Sequence, residues 1–354
     1  MIYLIEPCKD PTGHSIIYLN SLLKIKGTQH LCKDVDLTVI PGHKKLMIFK
    51  YYIALRKQLK AVPKGNVAHL LYADIYYKIP FVCSRLLHRN KTIATMHSFP
   101  KGKLKNWLMK NFCKRVERVI VHSEYIQKQM NAIGIHNVSY VDYPSFYDYS
   151  QLSPKDELRA KYGIKPDDIV LTALGTIRQD KGLDILLEAF RYCKLSVKNK
   201  ILLNVAGKTY DTFLQESDIR AVCDKHGIRS HLTIRPLSEE EFMENVCISD
   251  YLVMPYRKNM TGNSGPMTEA IVNHIPSIVP EQSNLGAIAK SYNVGICFDQ
   301  EDAKSLAKTI ERVIEEPRSL DFTYAEKLHE RCFIKTCKEL YLKIMNTTGK
   351  EERN

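Results

Sequence analysis

Residues 174 to 182 read Leu174-Gly175-Thr176-Ile177-Arg178-Gln179-Asp180-Lys181-Gly182. The apolar run 169–174 leads into this stretch and the apolar-periodic segment 183–193 follows it, which predicts a buried strand, a glycine loop and a helix. Ligands of open α/β sheets bind at the carboxyl ends of strands, where a glycine lets the backbone come close to them. Arg178 and Lys181 place two cations at that edge, in a spacing that suits a diphosphate. A solvated loop with a glycine turn is the alternative, and the spacing alone does not decide between the two.

A second cluster, residues 263–270, reads Asn-Ser-Gly-Pro-Met-Thr-Glu-Ala and follows the apolar run 251–254. Pro266 suits the first position of a helix, so we expect Gly265 to cap that helix and the free N–H groups nearby to form an anion site. Glu269 comes four residues after Gly265 and falls on nearly the same helical face. Its carboxylate can accept hydrogen bonds from two ribose hydroxyls. An acidic residue placed favourably near a helix start is the alternative.

Short apolar runs alternate with helical segments through both halves of the 354-residue chain. The length suits about two domains, and the alternation predicts an α/β fold with doubly wound parallel sheets. A break rich in proline and tyrosine near residue 150 separates the halves, so we expect domains over residues 1–150 and 160–320. The predicted strands of the first half include residues 36–40. A long amphipathic helix over about residues 324–346 packs either on the second domain or back on the first.

The order and spacing of these motifs resemble the donor site of the retaining family 4 glycosyltransferases of the GT-B fold, glycosyl transferases group 1. The likeness is carried by Gly175-x-x-Arg178-x-x-Lys181-Gly182, by residues 250–257 and 264–270, and by Asn293-Val-Gly295. It implies two Rossmann-like domains that face a cleft, with a nucleotide sugar held mainly by the second. The donor-binding residues that it implies are Gly13, Gly175, Arg178, Lys181, Ser264, Gly265, Pro266, Met267 and Glu269.

The first half resembles the family through Thr95-Met96-His97-Ser98 and residues 119–124. The family's histidine at the first of these positions commonly reaches the donor sugar or its phosphate. The resemblance therefore adds His97 to Arg178, Lys181 and Glu269 as candidate catalytic residues. It also implies that Gly13 belongs to a turn facing the donor. Without the resemblance, a structural hydrogen-bonding role is the alternative for His97.

The activity that the resemblance implies is transfer of a sugar, with retention, from a nucleotide diphosphate sugar to a glycan or lipid-linked acceptor. The family suggests bacterial capsule, exopolysaccharide or lipopolysaccharide synthesis as the setting. Arg178 and Lys181 would neutralise the departing diphosphate, which takes the place of a divalent metal. We therefore expect no metal and no cofactor besides the donor substrate.

One position departs from the family pattern. The family often carries a second glutamate with seven residues between it and the one matched by Glu269, and Thr261 stands there in this chain. A catalytically impaired scaffold that binds sugar nucleotides therefore stays open as an alternative. A nucleotide-sugar epimerase is a further alternative within the same fold.

Positive charge is concentrated in the first half, where residues 1–150 carry 23 Lys and Arg against 9 Asp and Glu. The first half therefore has a net charge of +14, whereas the remainder carries 29 Lys and Arg against 30 Asp and Glu. This asymmetry indicates an anionic partner for the first half. Segment 101–115 interleaves cations with apolar residues and predicts a helix that lies at an anionic membrane surface. A helix packed on the sheet with solvated lysines is the alternative. The candidate surface residues are Lys103, Lys105, Trp107, Lys110, Phe112, Lys114 and Arg115.

Several other classes fit the sequence poorly. No apolar run approaches the roughly 18 to 20 residues that span a bilayer, and we recognise no signal peptide. The ten cysteines lack spacings that suit zinc. Nucleic acid is not expected as a partner, because the basic segments contain no recognised binding module. These observations predict a cytoplasmic protein that contacts the inner face of the membrane.

Overall fold

The structure is a computed structural model that describes residues 1–6, 14–31, 44–78, 84–210 and 213–346. The chain divides into two compact units, one of Met1–Phe146 with Glu330–Asn354 and one of Tyr147–His329. The division after Phe146 falls a few residues before the break expected from the sequence. The predicted strand 36–40 lies outside the described residues.

The first unit contains a parallel sheet whose six described strands run in the order β2-β1-β3-β4-β5-β6. Its central strands β3 and β4 are buried at every position, as expected for a parallel sheet covered by helices on both faces. The strands are β1 (Ile2–Ile5), β2 (Thr28–His30), β3 (Val67–Leu70), β4 (Thr92–Met96), β5 (Arg118–Val121) and β6 (Val138–Tyr140). The helices are α1 (His14–Leu23), α2 (Lys44–Ala61), α3 (Ser84–Arg89), α4 (Lys103–Cys113) and α5 (Glu124–Ala132).

The second unit contains another parallel sheet, in the order β12-β11-β10-β7-β8-β9. Its strands are β7 (Ile169–Leu174), β8 (Ile201–Ala206), β9 (Arg229–Thr233), β10 (Tyr251–Val253), β11 (Ser277–Pro280) and β12 (Gly295–Phe298). Its helices are α6 (Lys155–Lys161), α7 (Leu183–Ala189), α8 (Leu195–Lys198), α9 (Glu216–His226), α10 (Glu239–Cys247), α11 (Gly265–Val272), α12 (Asn284–Tyr292) and α13 (Ala303–Glu315).

The winding of the second sheet reverses between β7 and β10. From β7 the chain builds outward through β8 and β9, then returns to add β10, β11 and β12 on the other side. Leu171 of β7 is paired with Tyr251 of β10, so the loops that follow these two strands emerge side by side. Ligands of doubly wound sheets bind at such a switch point. The predicted α/β class, with two doubly wound parallel sheets, is confirmed.

The last helix of the described residues packs on the first unit. The predicted helix beginning near residue 324 is two elements, a short 3₁₀ segment Thr323–Leu328 and helix α14 (Glu330–Asn346). They are separated by His329, whose extended backbone (φ −68°, ψ 141°) cannot continue a helix. Buried side chains of α14 join the core beneath β1 and α1, among them Phe333, Cys337 and Tyr341. The Tyr341 hydroxyl lies 2.6 Å from Nδ1 of His69 on β3.

Candidate functional site

Two glycines bring the ends of β7 and β8 into close contact. Gly175 has φ +99° and Gly207 has φ +140°, in the region that favours glycine. A Cβ placed on Gly207 would lie 2.1 Å from the carbonyl oxygen of Gly175. The Gly175 N–H donates to the Ala206 carbonyl at 2.8 Å. The backbone after β8 therefore lies directly against the backbone after β7, and neither glycine can be replaced without strain.

Lys181 follows in a short 3₁₀ turn and folds back over this strand end. Its Nζ lies 3.3 Å from the position a Gly175 Cβ would occupy and 5.4 Å from the centre of the Tyr256 ring. Gly182 makes the fold-back possible at φ +66°, where a Cβ would lie 2.1 Å from the carbonyl oxygen of Pro255. Lys181 takes part in none of the ion pairs formed among the described residues. Its positive charge is therefore available to an anionic ligand.

Arg178 has a partner within its own loop. Its Nε and Nη2 donate to the two carboxylate oxygens of Asp180 at 2.9 and 2.7 Å, a bidentate pairing. Hydrogen bonding to Asp180 raises the pKa of Arg178, with a smaller contribution from Tyr256. Arg178 and Lys181, predicted as a pair of cations, therefore differ, because the positive charge of Arg178 is already balanced by Asp180. The pairing of Asp180 with Arg178 was not predicted, although Asp180 stands between the two cations in the sequence.

Tyr256 links Lys181 to the start of α11. It follows β10, is 3% exposed, and its hydroxyl lies 3.0 Å from the hydroxyl oxygen of Ser264. Ser264 in turn caps α11, since its Oγ accepts a hydrogen bond from the Met267 N–H at 3.4 Å. The sequence reasoning missed Tyr256, although the residue stands in the motif 250–257.

The helix α11 begins one residue earlier than predicted. We expected Gly265 as the cap, but the cap is Ser264, because its hydroxyl satisfies a helix N–H that a glycine would leave unsatisfied. Pro266 lies in the first turn and has no N–H, and the Met267 N–H is already used by the cap. The Gly265 N–H therefore remains as the first-turn donor without an acceptor among the described residues.

Glu269 lies on α11, one turn after Gly265, and is 2% exposed. Its Oε2 accepts a hydrogen bond from the Tyr149 hydroxyl at 3.1 Å. Burial, followed by the nearby charge of Glu269, raises the pKa of Tyr149 far above its ordinary value, so the phenol keeps its proton. Nothing in the sequence placed Tyr149 next to Glu269, since 120 residues separate them.

His97 lies at the carboxyl end of β4 in the first unit, half-buried against Tyr72. The two rings stack with centres 4.4 Å apart, and Nε2 donates to the Leu71 carbonyl at 2.9 Å. The His97 backbone N–H donates to Asp74 at 2.8 Å. Burial lowers the pKa of His97 against the opposing effect of Asp74, which leaves the ring neutral and its Nδ1 an acceptor. Gly13, the other candidate of this half, lies outside the described residues.

Helix α4 does not present all of its predicted surface residues. Phe112 is only 1% exposed and packs in the core with Met109 and Cys113, so its assignment to a membrane-facing surface is wrong. The apolar residues of α4 lie on two faces, one packed in the core and one directed to solvent. Leu104 and Trp107 lie on the outward face and are 70% and 57% exposed. Exposed lysines border them at positions 101, 103, 105 and 114.

Two further properties concern the part of the chain that the structure describes. Its helices are each too short or too polar to cross a membrane. Within the same residues, His, Cys, Asp and Glu side chains nowhere gather in threes in a geometry that could hold a metal ion.

Comparisons with known proteins identify chains that are similar to this one. A curated relative, the alpha-D-kanosaminyltransferase of Streptomyces kanamyceticus, is 20% identical over 241 residues, covering 66% of this chain. The chain spans about 60% of that relative's length. Among solved structures, sucrose-phosphate synthase from Thermosynechococcus elongatus is similar with a TM-score of 0.68 at 15% identity, covering 99% of this chain and 98% of that one.

A second solved structure, Anabaena HepE in complex with UDP-glucose, has a TM-score of 0.68 at 13% identity, covering 98% of this chain and 99% of that one. These similarities confirm the predicted GT-B fold. A family model described as glycosyl transferases group 1 matches residues 154–331, half of the sequence. The chain belongs to the glycosyl transferases group 1 family.

Proposed function

We propose that this chain transfers a sugar, with retention, from a nucleotide diphosphate sugar to a glycan or lipid-linked acceptor. The setting we propose is bacterial capsule, exopolysaccharide or lipopolysaccharide synthesis. Family membership supports transferase chemistry, and the UDP-glucose bound by HepE supports a nucleotide-sugar donor. The observation that carries the proposal is the placement of Lys181 and the Gly265 N–H beside the switch point between β7 and β10.

In this proposal the diphosphate of the donor lies near Lys181 and the start of α11. The ammonium, the Gly265 N–H and the positive end of the helix dipole stabilise the charge that develops on the departing nucleotide diphosphate. Since fixed cations do this, we propose that the reaction needs no divalent metal. Arg178 contributes through its remaining N–H groups or after release from Asp180. Glu269 binds the ribose hydroxyls.

We propose that His97, in the first unit, binds the sugar of the donor. Its neutral ring is held by the Leu71 carbonyl and by Tyr72, which fixes Nδ1 as an acceptor for a sugar hydroxyl. Replacement by alanine should lower turnover of the donor sugar while leaving the affinity for the bare nucleoside diphosphate unchanged.

The outward face of α4 supports a membrane-proximal acceptor. Leu104 and Trp107 are exposed apolar side chains among lysines, on the half of the chain that carries the excess positive charge. Apolar anchors bordered by cations match the chemistry of an anionic lipid surface. We propose that this face docks the protein on the inner leaflet, where a lipid-linked acceptor is found.

A thermal-shift screen against UDP, GDP and ADP and their common sugars, with and without EDTA, tests the donor site. A ligand that prefers the folded state raises the melting temperature. We expect one nucleotide series to stabilise the wild-type protein in EDTA and Lys181→Ala to abolish the shift. Lys200→Ala is the matched control, an exposed lysine just before β8 at the opposite edge of the sheet. Equal shifts in both variants would refute the site.

Thr261 favours one rival, a scaffold that binds sugar nucleotides without turning them over. The loop 257–263 that contains it carries no carboxylate. Release of nucleotide from the bound donor on addition of lysate glycolipids would exclude this scaffold. An epimerase would instead convert the nucleotide sugar with no acceptor present.

A further inference from the structure

The contact between Tyr149 and Glu269 joins the first residues of the second unit to the helix of the proposed donor site. Tyr149 opens a 3₁₀ turn, Tyr149–Gln151, that leads into α6, and its hydroxyl donates to Oε2 of Glu269. Both residues belong to the second unit. The inference drawn from this contact rests on the function proposed above, in which Glu269 binds ribose.

Tyr149 reaches Glu269 from the edge of the sheet opposite the proposed donor site. Its ring lines an open pocket at the amino ends of the strands, with Lys155, Ser249, Asp250, Asn273 and Pro276. Asp250 directly precedes β10 and Pro276 directly precedes β11. A ligand at the carboxyl ends of β7 and β10 therefore does not need the space that Tyr149 fills.

Glu269 lies on α11, the helix whose first turn holds Gly265. Side chains of an α-helix tilt in general toward the helix N-terminus, a direction that favours contact between this carboxylate and a ligand bound at that first turn. The tyrosine hydroxyl holds one oxygen of that carboxylate. A carboxylate with one oxygen held in a hydrogen bond rotates less freely, which narrows the range of directions of its second oxygen.

We propose that Tyr149 is a positioning residue that orients the Glu269 carboxylate for recognition of the ribose hydroxyls of the donor nucleotide. Preorganisation of this kind raises the affinity for a ribonucleotide because the binding free energy is not spent on ordering the carboxylate. It has no effect on a nucleotide that lacks those hydroxyls. The role therefore predicts a change in selectivity between two ligands, which a general loss of stability would not produce.

The test compares Tyr149→Phe with Tyr147→Phe. The control makes the same chemical change two residues earlier, at a tyrosine that stacks on Phe242 with ring centres 5.2 Å apart and has no hydrogen bond to Glu269 among the described residues. The probes are whichever of UDP, GDP and ADP stabilises the wild-type protein most, and its 2′,3′-dideoxy analogue. Affinities are measured by calorimetry, and melting curves confirm that each variant is folded.

We expect Tyr149→Phe to bind the ribonucleotide about tenfold more weakly, as for loss of one hydrogen bond to a charged group, with the dideoxy affinity unchanged. Tyr147→Phe should match the wild-type protein on both probes. In the background Glu269→Gln, Tyr149→Phe should have no further effect on the ratio of the two affinities. Because partial unfolding lowers both apparent affinities by the same factor, the ratio of the two affinities keeps the test informative if Tyr149→Phe is poorly folded.

Equal weakening for both probes, or no weakening for either, would overturn the positioning role while leaving the donor site in place. If the wild-type protein binds none of the three diphosphates, the proposed function itself is wrong and this role falls with it.

Discussion

The Lys181 ammonium lies 5.4 Å from the centre of the Tyr256 ring, and the hydroxyl of that tyrosine lies 3.0 Å from Ser264 Oγ. One buried tyrosine therefore connects the cation that follows β7 with the cap of the helix that follows β10. A cation over an aromatic face is held without being neutralised, unlike a cation paired with a carboxylate. The same ammonium lies near the first turn of α11, since the position of a Gly175 Cβ is 3.3 Å from Lys181 Nζ and 3.7 Å from Pro266 Cγ.

The two cations of the loop should contribute unequally to binding of a nucleoside diphosphate. Lys181→Ala should weaken it by about tenfold or more, because it removes an uncompensated charge. Arg178→Ala should weaken it by less than about threefold, because Arg178 is 40% exposed and its charge is paired with Asp180. Calorimetry on both variants measures the difference.

Asp180→Asn serves as the control for this comparison. It frees Arg178 and should leave binding equal or tighter. An Arg178→Ala loss as large as that of Lys181→Ala would contradict the inequality.

Gly207→Ala should destabilise the protein by about 3 kcal/mol or more, since the new methyl group would collide with the Gly175 carbonyl. Gly227→Ala is the matched substitution, at φ +66° with nothing within 4 Å of the added carbon. It should cost only about 1 kcal/mol, for the left-handed backbone. Urea denaturation gives both values, and equal costs would show that the contact between the β7 and β8 loops is not tight.

Stability should fall as the pH drops below the ordinary histidine pKa of 6.5. Burial, with a lesser effect of His97, lowers the pKa of His69 and of His122 to about 3. Between those values the unfolded chain binds more protons than the folded one, so this stability is present above pH 6.5 and is lost toward pH 3. Two such histidines make the protein roughly 3 kcal/mol less stable at about pH 5.5 than at about pH 7.5.

Denaturation curves across that interval check the effect. His122→Asn keeps a donor for the Val141 carbonyl and should remove about half of the pH dependence. A profile that is flat from about pH 5.5 to about pH 7.5 would mean that the folded protein protonates these rings readily.

Trp107→Ala should reduce binding to vesicles of phosphatidylcholine mixed with phosphatidylglycerol, measured by cosedimentation. The loss of a large apolar side chain should weaken binding by about tenfold or more. Leu195→Ala is the control, since Leu195 is 66% exposed on the second unit. Binding should also weaken with added salt and be small on phosphatidylcholine alone. Equal losses in both variants, or no dependence on lipid charge, would count against docking through α4.

Local periodicity determined much of the fold. The run 169–174 was predicted to the residue as a strand, β7, because this largely apolar stretch is bounded by Asp168 and Gly175. The short strand β2 was not predicted, since Thr28–His30 has no apolar pattern and forms a strand by pairing with β1. The cap of α11 was predicted one residue too late. The prediction counted back from Pro266 and did not consider that the Ser264 hydroxyl could accept a hydrogen bond from a helix N–H.

The sequence by itself determined the class of fold, the strand end at Gly175, the cation that follows it and the family. These are local properties, encoded by spacing and residue type within a few turns of chain. Only the tertiary structure showed that Asp180 pairs with Arg178 and that Tyr256 lies between Lys181 and Ser264. It likewise showed that Tyr149 donates a hydrogen bond to Glu269 and that Phe112 is buried in the core. Such contacts depend on which side chains the winding of the sheet brings together, and a side chain's partner across many residues has no signature in its own neighbourhood.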